Sequence, residues 1–402
     1  MYSLLASAVN HPDAVDRYYG LFNRRSLRSL AETGVGMDVV SPRPYAPPVG
    51  PYAAYASLPT VEEWGEYAVH HPRFWYLLPK RLFYGVAGGS FAKRVPPYLD
   101  RTLDVPDVVH ACHVYLDGYG LLPYVRDHDL PLFVVAHGTV LNTYHELPLD
   151  VRRRVAETLD AASGVLCVSD ALAERARELT DPATVSTVPL GADPDRFPVE
   201  RERRLRRELG IDTDATVVLF VGHFVERKGV REMMAVVPEI DDGDVTFVFV
   251  GHGGDLADGI RGVLADEGRS TRLVFEGLPP VALRRWFAVA DLLWLPSHTE
   301  GRPTVVYEAM ASETAVVATS VGGIPEQVAD GETGRVVPPR DVGSLREAVT
   351  ELLADPGRTR AMWRAGLARL RDRRGAVDEL PRRLPGHHQR VVEARAPATP
   401  PG

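Results

Sequence analysis

Two carboxylates eight residues apart are the most informative feature of the sequence. Glu300 follows an apolar run that ends at Pro296, and Glu308 lies among apolar residues after Pro303. Proline suits the first position of a helix because it has no N–H group to leave unpaired, and a charge among apolar neighbours needs a partner. A ribose diol offers two hydroxyl donors to one carboxylate, and the free N–H groups of a helix start bind an anion. The pattern therefore predicts a binding site for a sugar nucleotide.

Lys228 is a candidate for binding phosphate. The chain has only three lysines, Lys80, Lys93 and Lys228, among 46 basic residues, and Lys228 precedes Gly229 between a predicted strand and a predicted helix. An ammonium and a guanidinium are not equivalent on a phosphate, so a lysine retained at this position suggests a specific fit. The alternative is an exposed surface lysine that pairs with Glu226.

Short runs rich in β-branched residues alternate with helical patterns along the chain, which is typical of βαβ units and parallel sheets. Buried parallel strands are continuous apolar runs. We predict strands, in chain order, over Ser3–Val9, Met37–Ser41, Val108–His113, Leu132–His137, Gly164–Ser169, Thr184–Leu190, Thr216–Gly222, Asp244–Gly251, Arg272–Gly277, Asp291–Pro296, Thr314–Thr319 and Arg335–Val337.

A polar stretch from Gly191 to Arg196 separates the two sets of strands. We therefore predict an N-terminal α/β domain over residues 1–195 and a C-terminal α/β domain over residues 196–370, with a ligand cleft between them. Prolines after residue 380 break any long helix. Residues 371–402 are accordingly predicted to be an atypical, disordered tail.

Composition excludes several classes of function. A net charge of −8 over 402 residues argues against nonspecific nucleic-acid binding. No apolar run is long enough to span a membrane, and the first residues lack the basic region of an export signal. Cys112 and Cys167 each lie in a short apolar run, which predicts buried free thiols in a reducing cytoplasm. We therefore expect a cytoplasmic protein that binds no nucleic acid.

The carboxylate pair belongs to a longer series of motifs. They are Pro296-Ser297-x-x-Glu300-Gly301-x-Pro303-x-x-x-x-Glu308-Ala309-Met310-Ala311, Gly322-Gly323-Ile324-Pro325-Glu326, Asp330-Gly331-x-Thr333-Gly334, Val221-Gly222 with Lys228-Gly229, His110-x-x-His113, Asp117-Gly118 and Ala136-His137-Gly138. On these motifs, from about residue 3 to about residue 355, the chain resembles a retaining glycosyltransferase of family 4, also called glycosyltransferase group 1. The resemblance implies the α/β GT-B fold, in which two Rossmann-like parallel-sheet lobes face each other across a cleft. The N-terminal lobe would bind the acceptor and the C-terminal lobe the nucleotide sugar.

The resemblance also implies a role for each matching residue. Lys228 would neutralise the donor diphosphate, Glu308 would hold the ribose hydroxyls, and Glu300 with the amides after it would hold the transferred sugar. Gly20 would let the backbone approach the phosphates closely. His137 would lie near the anomeric carbon. The implied catalytic residues are Lys228, Glu300 and His137, and the implied donor-binding residues are Gly20, Gly222, Lys228, Glu300, Gly301, Thr304, Val305 and Glu308. Family members need no metal ion and no other cofactor.

The implied activity is transfer of a hexosyl group from a nucleoside-diphosphate sugar to an acceptor hydroxyl, with retention at the anomeric carbon. The acceptor would be a glycan, a lipid-linked molecule or a small molecule. Two alternatives stay open: a sugar-nucleotide epimerase of the same fold, and an impaired, non-catalytic sugar-nucleotide-binding protein. His223 raises the second alternative because the family usually has an arginine there. So does the tail after Leu370, which predicts loss of the helix that normally crosses back to the N-terminal lobe.

Two further segments have competing interpretations. The segment from His71 to Tyr84 is aromatic and basic, and lies within residues 42–100, which are rich in Pro, Tyr and Trp. It would either line the acceptor cleft or contact a membrane surface at the cytoplasmic face that carries a lipid-linked acceptor. A cluster of His110, His113 and His137 resembles a metal-ligand set, but strand alternation puts the first two on opposite faces. We therefore predict no metal site.

Overall fold

The chain divides into two compact units. The structure, a computed structural model, describes residues 2–9, 21–45, 56–76, 80–189, 191, 194, 197, 203–240, 244–251, 256–266, 271–275, 278, 280–372, 386 and 388–393. One unit consists of Met1–Pro189 with Glu379–Gly402, and the other of Leu190–Asp378. The first unit therefore ends after Pro189, whereas the sequence analysis placed the boundary after residue 195.

The N-terminal unit is built on one large sheet. Its strands are β1 (Ser3–Ser7), β2 (Gly36–Val40), β4 (Val61–Glu63), β5 (Ala68–His70), β7 (Val108–Ala111), β8 (Leu132–Ala136), β9 (Gly164–Cys167) and β10 (Val185–Thr187), with β3 (Arg43–Pro44) and β6 (Arg73–Phe74) forming a separate parallel pair. The order in the sheet is β10-β9-β8-β7-β1-β2-β5-β4. Neighbouring strands are parallel except β4, which is antiparallel to β5.

Helices connect these strands, as expected for βαβ units. They are α1 (Leu21–Ala31), α2 (Lys80–Arg94), α3 (Pro96–Thr102), α4 (Tyr119–Asp127), α5 (Thr139–Asn142), α6 (Leu149–Ala161) and α7 (Asp170–Arg177). On α6, Val151, Val155 and Leu159 are buried at four-residue spacing, which places them on one face of the helix. Ser169 caps α7 by accepting a hydrogen bond from the Leu172 N–H group (3.3 Å).

The C-terminal unit has a six-stranded sheet that is parallel throughout. Its strands are β11 (Thr216–Val221), β12 (Val245–Gly251), β13 (Thr271–Phe275), β14 (Leu292–Leu295), β15 (Ala315–Thr319) and β16 (Gly334–Val337), in the order β13-β12-β11-β14-β15-β16. Its helices are α8 (Arg203–Glu208), α9 (Val230–Val236), α10 (Ala257–Asp266), α11 (Pro280–Val289), α12 (Thr304–Ala311), α13 (Ile324–Gln327), α14 (Val342–Ala354) and α15 (Pro356–Asp372). Trp294, fully buried on β14, packs on Phe247 and Phe249 of β12, with ring centroids 5.5 and 6.0 Å away.

Each predicted strand overlaps an observed one, so the α/β class with two parallel sheets is confirmed. The strands that the sequence did not predict are β3 to β6, all within residues 42–100 and only two or three residues long. Within the aromatic segment, Phe74 is buried against Phe91 at 5.6 Å between ring centroids, while Trp75 is 48% exposed and stacks on Tyr45 at 4.8 Å. Residues 77–79 lie outside the described part, and membrane contact by this segment stays a prediction.

The two cysteines have the predicted state. Cys112 and Cys167 are free and buried. Burial raises the pKa of the Cys112 thiol well above its ordinary value, with a smaller contribution from Asp117, and raises that of Cys167 to about 12. Because the thiolate is the reactive form, both thiols are chemically inert at neutral pH.

A C-terminal helical segment, residues 388–393, belongs to the N-terminal unit. His388 is fully buried, and its Nδ1 lies 3.2 Å from the Tyr2 hydroxyl oxygen. The His388 ring also packs edge-on against Phe133 and His110, with centroids 4.5 and 5.4 Å apart. This segment therefore supplies part of the N-terminal core.

For the described residues of 371–402, these contacts correct the prediction of a disordered tail that does not return to the N-terminal unit. Residues Arg371 and Asp372 end helix α15, and His388 returns to the first unit as a core residue. Composition did not reveal this segment because the burial of His388 depends on Tyr2, His110 and Phe133, which lie far away in the chain.

Candidate active site

The predicted donor site begins where β14 ends. Ser297 is fully buried, and its carbonyl oxygen accepts a hydrogen bond of 2.5 Å from Thr319 Oγ1 at the end of β15. His298 donates its backbone N–H to the Arg227 carbonyl oxygen (2.9 Å), and its Nε2 lies 2.7 Å from Glu232 Oε1 on α9. The loop is thus fixed to β15 on one side and to the turn and helix after β11 on the other.

The predicted phosphate-binding lysine and the predicted sugar-binding carboxylate form an ion pair. Lys228 Nζ lies 2.5 Å from Glu300 Oε1, which also accepts a hydrogen bond from Ser297 Oγ (2.7 Å). The side chains of Lys228 and Glu300 are 15% and 10% exposed, so salt in the solvent screens the pair only weakly. A ligand can replace this ion pair: an anion can bind the ammonium of Lys228, and hydrogen-bond donors can bind the carboxylate of Glu300.

Gly229 explains why Lys228 reaches this loop. Its φ of 71° lies in the left-handed region, and a Cβ at this position would overlap the Pro296 carbonyl oxygen. Lys228 ends the short 3-10 turn Glu226–Lys228, and α9 begins at Val230. Only glycine fits so close to a carbonyl oxygen. The contact with Pro296 therefore explains why a glycine follows Lys228.

The glycine pair after β15 contacts the Glu300 loop directly. Gly322 has a φ of 54°, and a Cβ on it would overlap the Glu300 carbonyl oxygen. The Gly323 N–H group donates a hydrogen bond of 2.7 Å to the Gly301 carbonyl oxygen. The two loops that carry the strongest sequence motifs are therefore joined backbone to backbone.

Arg302 joins the same two loops through its side chain. Its guanidinium Nη1 lies 2.5 Å from Glu326 Oε2, and Nη2 and Nε donate to the Tyr307 hydroxyl oxygen at 2.6 and 3.0 Å. The Arg302 side chain is only 2% exposed, so its charge depends on Glu326 for compensation.

Arg302→Ala is expected to destabilise the protein by about 3 kcal/mol, because it leaves Glu326 without its charge partner. This is the lower end of the usual range for a broken buried pair, since Glu326 keeps 22% of its side-chain surface exposed. Urea unfolding measures the change in free energy. Arg346→Ala is the matched control, because the Arg346–Glu239 pair is exposed, and it should leave the unfolding midpoint unchanged. Equal effects of the two substitutions would contradict the assignment.

Glu308 and the start of α12 complete the site in this unit. Glu308 is buried, with 9% of its surface exposed, and lies one turn after Thr304 on the same helix face. Pro303 was predicted as the first helical residue, but it is the N-cap, with an extended backbone (φ −68°, ψ 119°). No side chain of the N-cap residue caps this helix start, and the Val306 N–H group donates to the Pro303 carbonyl oxygen (3.3 Å), so the N–H groups of Thr304 and Val305 are the ones that face solvent or an anion.

Gly222 lies at the carboxyl end of β11, three residues before Val225, where the turn to Lys228 starts. A Cβ on Gly251, at the end of the neighbouring β12, would overlap the Gly222 carbonyl oxygen. The backbones of the two strand ends therefore approach closely. Ligands of parallel α/β sheets bind outside such strand ends, and the role of Gly222 in donor binding stays a prediction.

His137 lies in the N-terminal unit, directly after β8, with its ring centroid 5.5 Å from that of His113. Burial lowers the pKa of His137 well below its ordinary value, and the neighbouring His113 and His110 lower this pKa further, against an opposing hydrogen bond with the Cys112 backbone. His137 is therefore neutral at pH 7 and serves as a hydrogen-bonding group.

The predicted site residues thus fall into two sets. The structure places Gly222, Lys228, Glu300, Gly301, Thr304, Val305 and Glu308 on adjoining strand ends, loops and one helix of the C-terminal unit. His137 belongs to the N-terminal unit, and Gly20 lies outside the described residues.

Sequence reasoning missed the side chains that hold these loops, namely Glu232, His298 and Arg302. A signal existed for Arg302, which stands between Gly301 and Pro303 just before an apolar helix, where a cation needs a partner. Nothing in the sequence connects His298 with Glu232, which is 66 residues away.

Two features are absent from the part of the chain that the structure describes. In that part of the chain, no group of three or more His, Cys, Asp or Glu side chains is placed to hold a metal ion. Among the helices described above, none combines the length and the apolar character needed to cross a membrane.

Comparison with solved structures defines the class of the fold. Sucrose-phosphate synthase from Thermosynechococcus elongatus superposes with a TM-score of 0.81 and 21% sequence identity, over 98% of this chain and 100% of that one. The chain therefore has the GT-B glycosyltransferase fold, with two Rossmann-like parallel-sheet lobes.

Sequence comparison defines the family. The model of glycosyl transferases group 1 matches residues 201–368, and the model of Glycosyltransferase Family 4 matches residues 22–196. The chain belongs to glycosyltransferase family 4.

Two relatives illustrate this membership. A glycosyltransferase assigned to teichuronic acid biosynthesis, TuaC of Bacillus subtilis (strain 168), is 27% identical over 85% of this chain and 86% of its own length. A GDP-mannose-dependent alpha-(1-6)-phosphatidylinositol monomannoside mannosyltransferase of Mycolicibacterium smegmatis (strain ATCC 700084 / mc(2)155) is 36% identical over 196 residues. That match covers 46% of this chain and 51% of the mannosyltransferase, about half of each.

Proposed function

We propose that this glycosyltransferase moves a hexosyl group from a nucleoside-diphosphate sugar to an acceptor hydroxyl, with retention at the anomeric carbon. The observation that carries the proposal is the Lys228–Glu300 pair, with Nζ and Oε1 2.5 Å apart on the loop that leads into the uncapped start of α12. A diphosphate supplies the anion that Lys228 and a helix start bind, and a hexose supplies hydroxyl donors for a carboxylate.

Donor binding would exchange the partners of this ion pair. The diphosphate takes over the Lys228 ammonium, and Glu300 is released to accept hydrogen bonds from the hydroxyls of the sugar. The GDP-mannose dependence of the mannosyltransferase relative is consistent with a nucleoside-diphosphate hexose as donor. The acceptor is a hydroxyl of a glycan, a lipid-linked molecule or a small molecule.

Electrostatic support of the leaving group is the proposed source of rate acceleration. As the bond from the anomeric carbon to the diphosphate breaks, negative charge grows on the phosphate oxygens. Lys228 and the N–H groups at the start of α12 stabilise this charge without a metal ion. In the N-terminal unit, the carboxylate of Asp117 is fully buried, accepts hydrogen bonds from Ser7 Oγ and from the Val9 N–H group, and has its other oxygen 2.5 Å from His113 Nδ1. Asp117 is therefore already engaged in these contacts and is unsuited to act as a nucleophile. This favours departure of the diphosphate and attack by the acceptor on the same face of the sugar.

Glu308→Ala is expected to weaken donor binding about 10- to 100-fold, because hydrogen bonds to a charged group contribute about 1.5–3 kcal/mol. Thermal-shift screening against UDP-glucose, GDP-mannose and ADP-glucose identifies the donor, and isothermal titration calorimetry then measures its Kd in both proteins. Glu347→Ala, an exposed glutamate of α14, is the control and should bind the donor normally.

Unchanged donor affinity in Glu308→Ala would contradict the proposal that Glu308 binds the ribose hydroxyls of the donor. The activity itself is tested by analysing the products after the protein has been incubated with the donor alone. Conversion of the donor to its epimer would favour an epimerase, and binding without any turnover across a panel of sugar and lipid acceptors would favour a non-catalytic protein. Release of nucleoside diphosphate supports the transferase.

A further inference from the structure

The N-terminal unit has a groove that contains none of the described residues of the proposed donor site. Helices α2, α4 and α6 and the residue after β6, Trp75, border a space of about 770 Å³. The described residues that line this space all belong to the N-terminal unit. A ligand could therefore be bound here by side chains of one unit alone.

An exposed aromatic side chain forms one part of the groove. Trp75 is 48% exposed, and its ring lies 4.8 Å from that of Tyr45, measured between centroids. Its backbone N–H group donates a hydrogen bond of 2.8 Å to Ser90 Oγ on α2. The guanidinium of Arg94 lies over both rings, 5.1 Å from the centroid of Tyr45 and 5.7 Å from that of Trp75. These contacts fix the orientation of the exposed indole before a ligand binds, and such surfaces often mark binding sites.

Arg154 on α6 supplies a cation to the same groove. Its Nη1 donates to the Gly85 carbonyl oxygen and to the Tyr115 hydroxyl oxygen, and its guanidinium lies 5.1 Å from the ring centroid of Tyr119. Asp150, one turn earlier on α6, acts on Arg154 electrostatically, but among the described residues no carboxylate forms an ion pair with it. A guanidinium without an ion-pair partner can bind a carboxylate or a phosphate through two parallel hydrogen bonds.

Two glycines of α2 shape the groove beside Arg154. A Cβ on Gly85 would overlap the carboxylate of Asp150, so Gly85 allows α2 and α6 to approach closely. A Cβ on Gly89 would meet only Arg154 among the described atoms, with Nη2 and Nη1 at 3.9 and 4.0 Å, which are ordinary contact distances. Gly89 therefore leaves open space in front of the guanidinium.

The chemistry of the lining favours a sugar that carries negative charge. Among the described lining residues, basic side chains outnumber the carboxylate of Asp150. The C–H face of a sugar ring can pack on an indole, and an acidic substituent can bind a guanidinium. A helix that lies on a membrane has its apolar and its charged residues on opposite faces. On α2, in contrast, Val86, Ser90 and Arg94 all line the groove, so that apolar, polar and basic residues share one face.

We propose that this groove binds an anionic saccharide that is the acceptor of the transferase. Trp75 packs on a sugar ring, and Arg154 binds the carboxylate or phosphate of the saccharide. This assignment rests on the proposed function and adds to it the chemical class of the acceptor. The binding step needs no donor.

Binding is tested by isothermal titration calorimetry of the full chain without donor. The probes are hexagalacturonate, which carries carboxylates, and mannose 6-phosphate, and their neutral counterparts are maltohexaose and mannose. We expect each anionic probe to bind about 10- to 100-fold more tightly than its neutral counterpart, the usual contribution of a charged hydrogen bond. Added salt should weaken the binding of the anionic probes, since the groove is open to solvent.

Gly89→Leu tests the place of binding by filling the groove. Leucine forms helices better than glycine, so the urea unfolding midpoint should not fall, whereas binding of both anionic probes should be lost. Gly262→Leu is the matched control, because Gly262 lies inside α10 with no described atom within 4 Å of an added Cβ, and it should bind normally. Arg154→Gln should lower the affinity for the anionic probes to that for the neutral ones. Trp75→Ala should weaken binding of both kinds of saccharide.

Several results would overturn the proposal. They are a wild type that binds neither anionic probe, equal affinity for anionic and neutral probes, and normal binding by Gly89→Leu. Should Gly89→Leu not fold, Arg154→Gln and Trp75→Ala decide in the same way. Flotation with phosphatidylglycerol vesicles tests the other source of anionic groups. Vesicle binding that Trp75→Ala abolishes, without saccharide binding, would assign the groove to a membrane surface instead. Donor binding is measured separately by thermal shift, and its failure would overturn the proposed function while the titrations still decide whether the groove binds a saccharide.

Discussion

Lys228→Ala is expected to lower turnover about 100- to 1,000-fold, the usual cost of removing one group that stabilises developing charge. Lys228 is the cation that contacts Glu300, at 2.5 Å, on the loop next to the helix start. In the proposed mechanism, its removal takes away the ammonium that balances the charge growing on the departing diphosphate. The effect is measured as the rate at which nucleoside diphosphate is released from the donor that the thermal-shift screening identifies.

The control for Lys228→Ala is Lys93→Ala. Lys93 is exposed in the last turn of α2 in the N-terminal unit and should be neutral to turnover. Lys228→Arg should restore activity only in part, because a planar guanidinium retains the charge but not the compact geometry of an ammonium. Full activity in Lys228→Ala would refute the assignment of the diphosphate to this residue.

Gly322→Ala is expected to damage the proposed donor site through the backbone alone. A non-glycine residue at a φ of 54° costs about 1–3 kcal/mol. In addition, the new Cβ would overlap the Glu300 carbonyl oxygen, which cannot turn away as a side chain can. The loop must therefore shift, the hydrogen bond from Gly323 to Gly301 is lost, and donor affinity should fall by at least about 10-fold, or 1.4 kcal/mol.

Calorimetric titration and urea unfolding together check the prediction for Gly322. Gly262→Ala is the matched control, since Gly262 lies inside α10 with no atom within 4 Å of an added Cβ. Alanine is the better helix former, so this variant should gain up to about 1 kcal/mol in unfolding free energy and keep its donor affinity. If Gly322→Ala behaved like Gly262→Ala, the close approach of the two loops would not matter for binding.

The sequence was sufficient for the strands that are continuous apolar runs. β11 is an example, because Val217 to Phe220 are apolar in succession and all are buried in the sheet. The short strands β3 to β6 could not be predicted, since two or three residues carry no periodicity. The C-terminal segment was wrongly predicted for a related reason: the burial of His388 depends on partners more than 250 residues earlier in the chain, such as Phe133.

The same limit applies to the candidate site. Lys228, Glu300 and the glycine pair could be proposed from the sequence because each belongs to a short motif that can be read without knowing its contacts. The Arg302–Glu326 pair, by contrast, bridges 24 residues, and the Ser7–Asp117 contact bridges 110. Contacts over such separations are set by the packing of the sheets, which no local pattern encodes.

The placement of His388 affects how the N-terminal unit can be studied by itself. That unit is assembled from both ends of the polypeptide, Met1–Pro189 and Glu379–Gly402. A fragment that stops at Pro189 would uncover the rings of His110 and Phe133 and leave the Tyr2 hydroxyl without its histidine. Such a fragment lacks part of its hydrophobic core. An isolated N-terminal unit would therefore need the C-terminal segment fused to it.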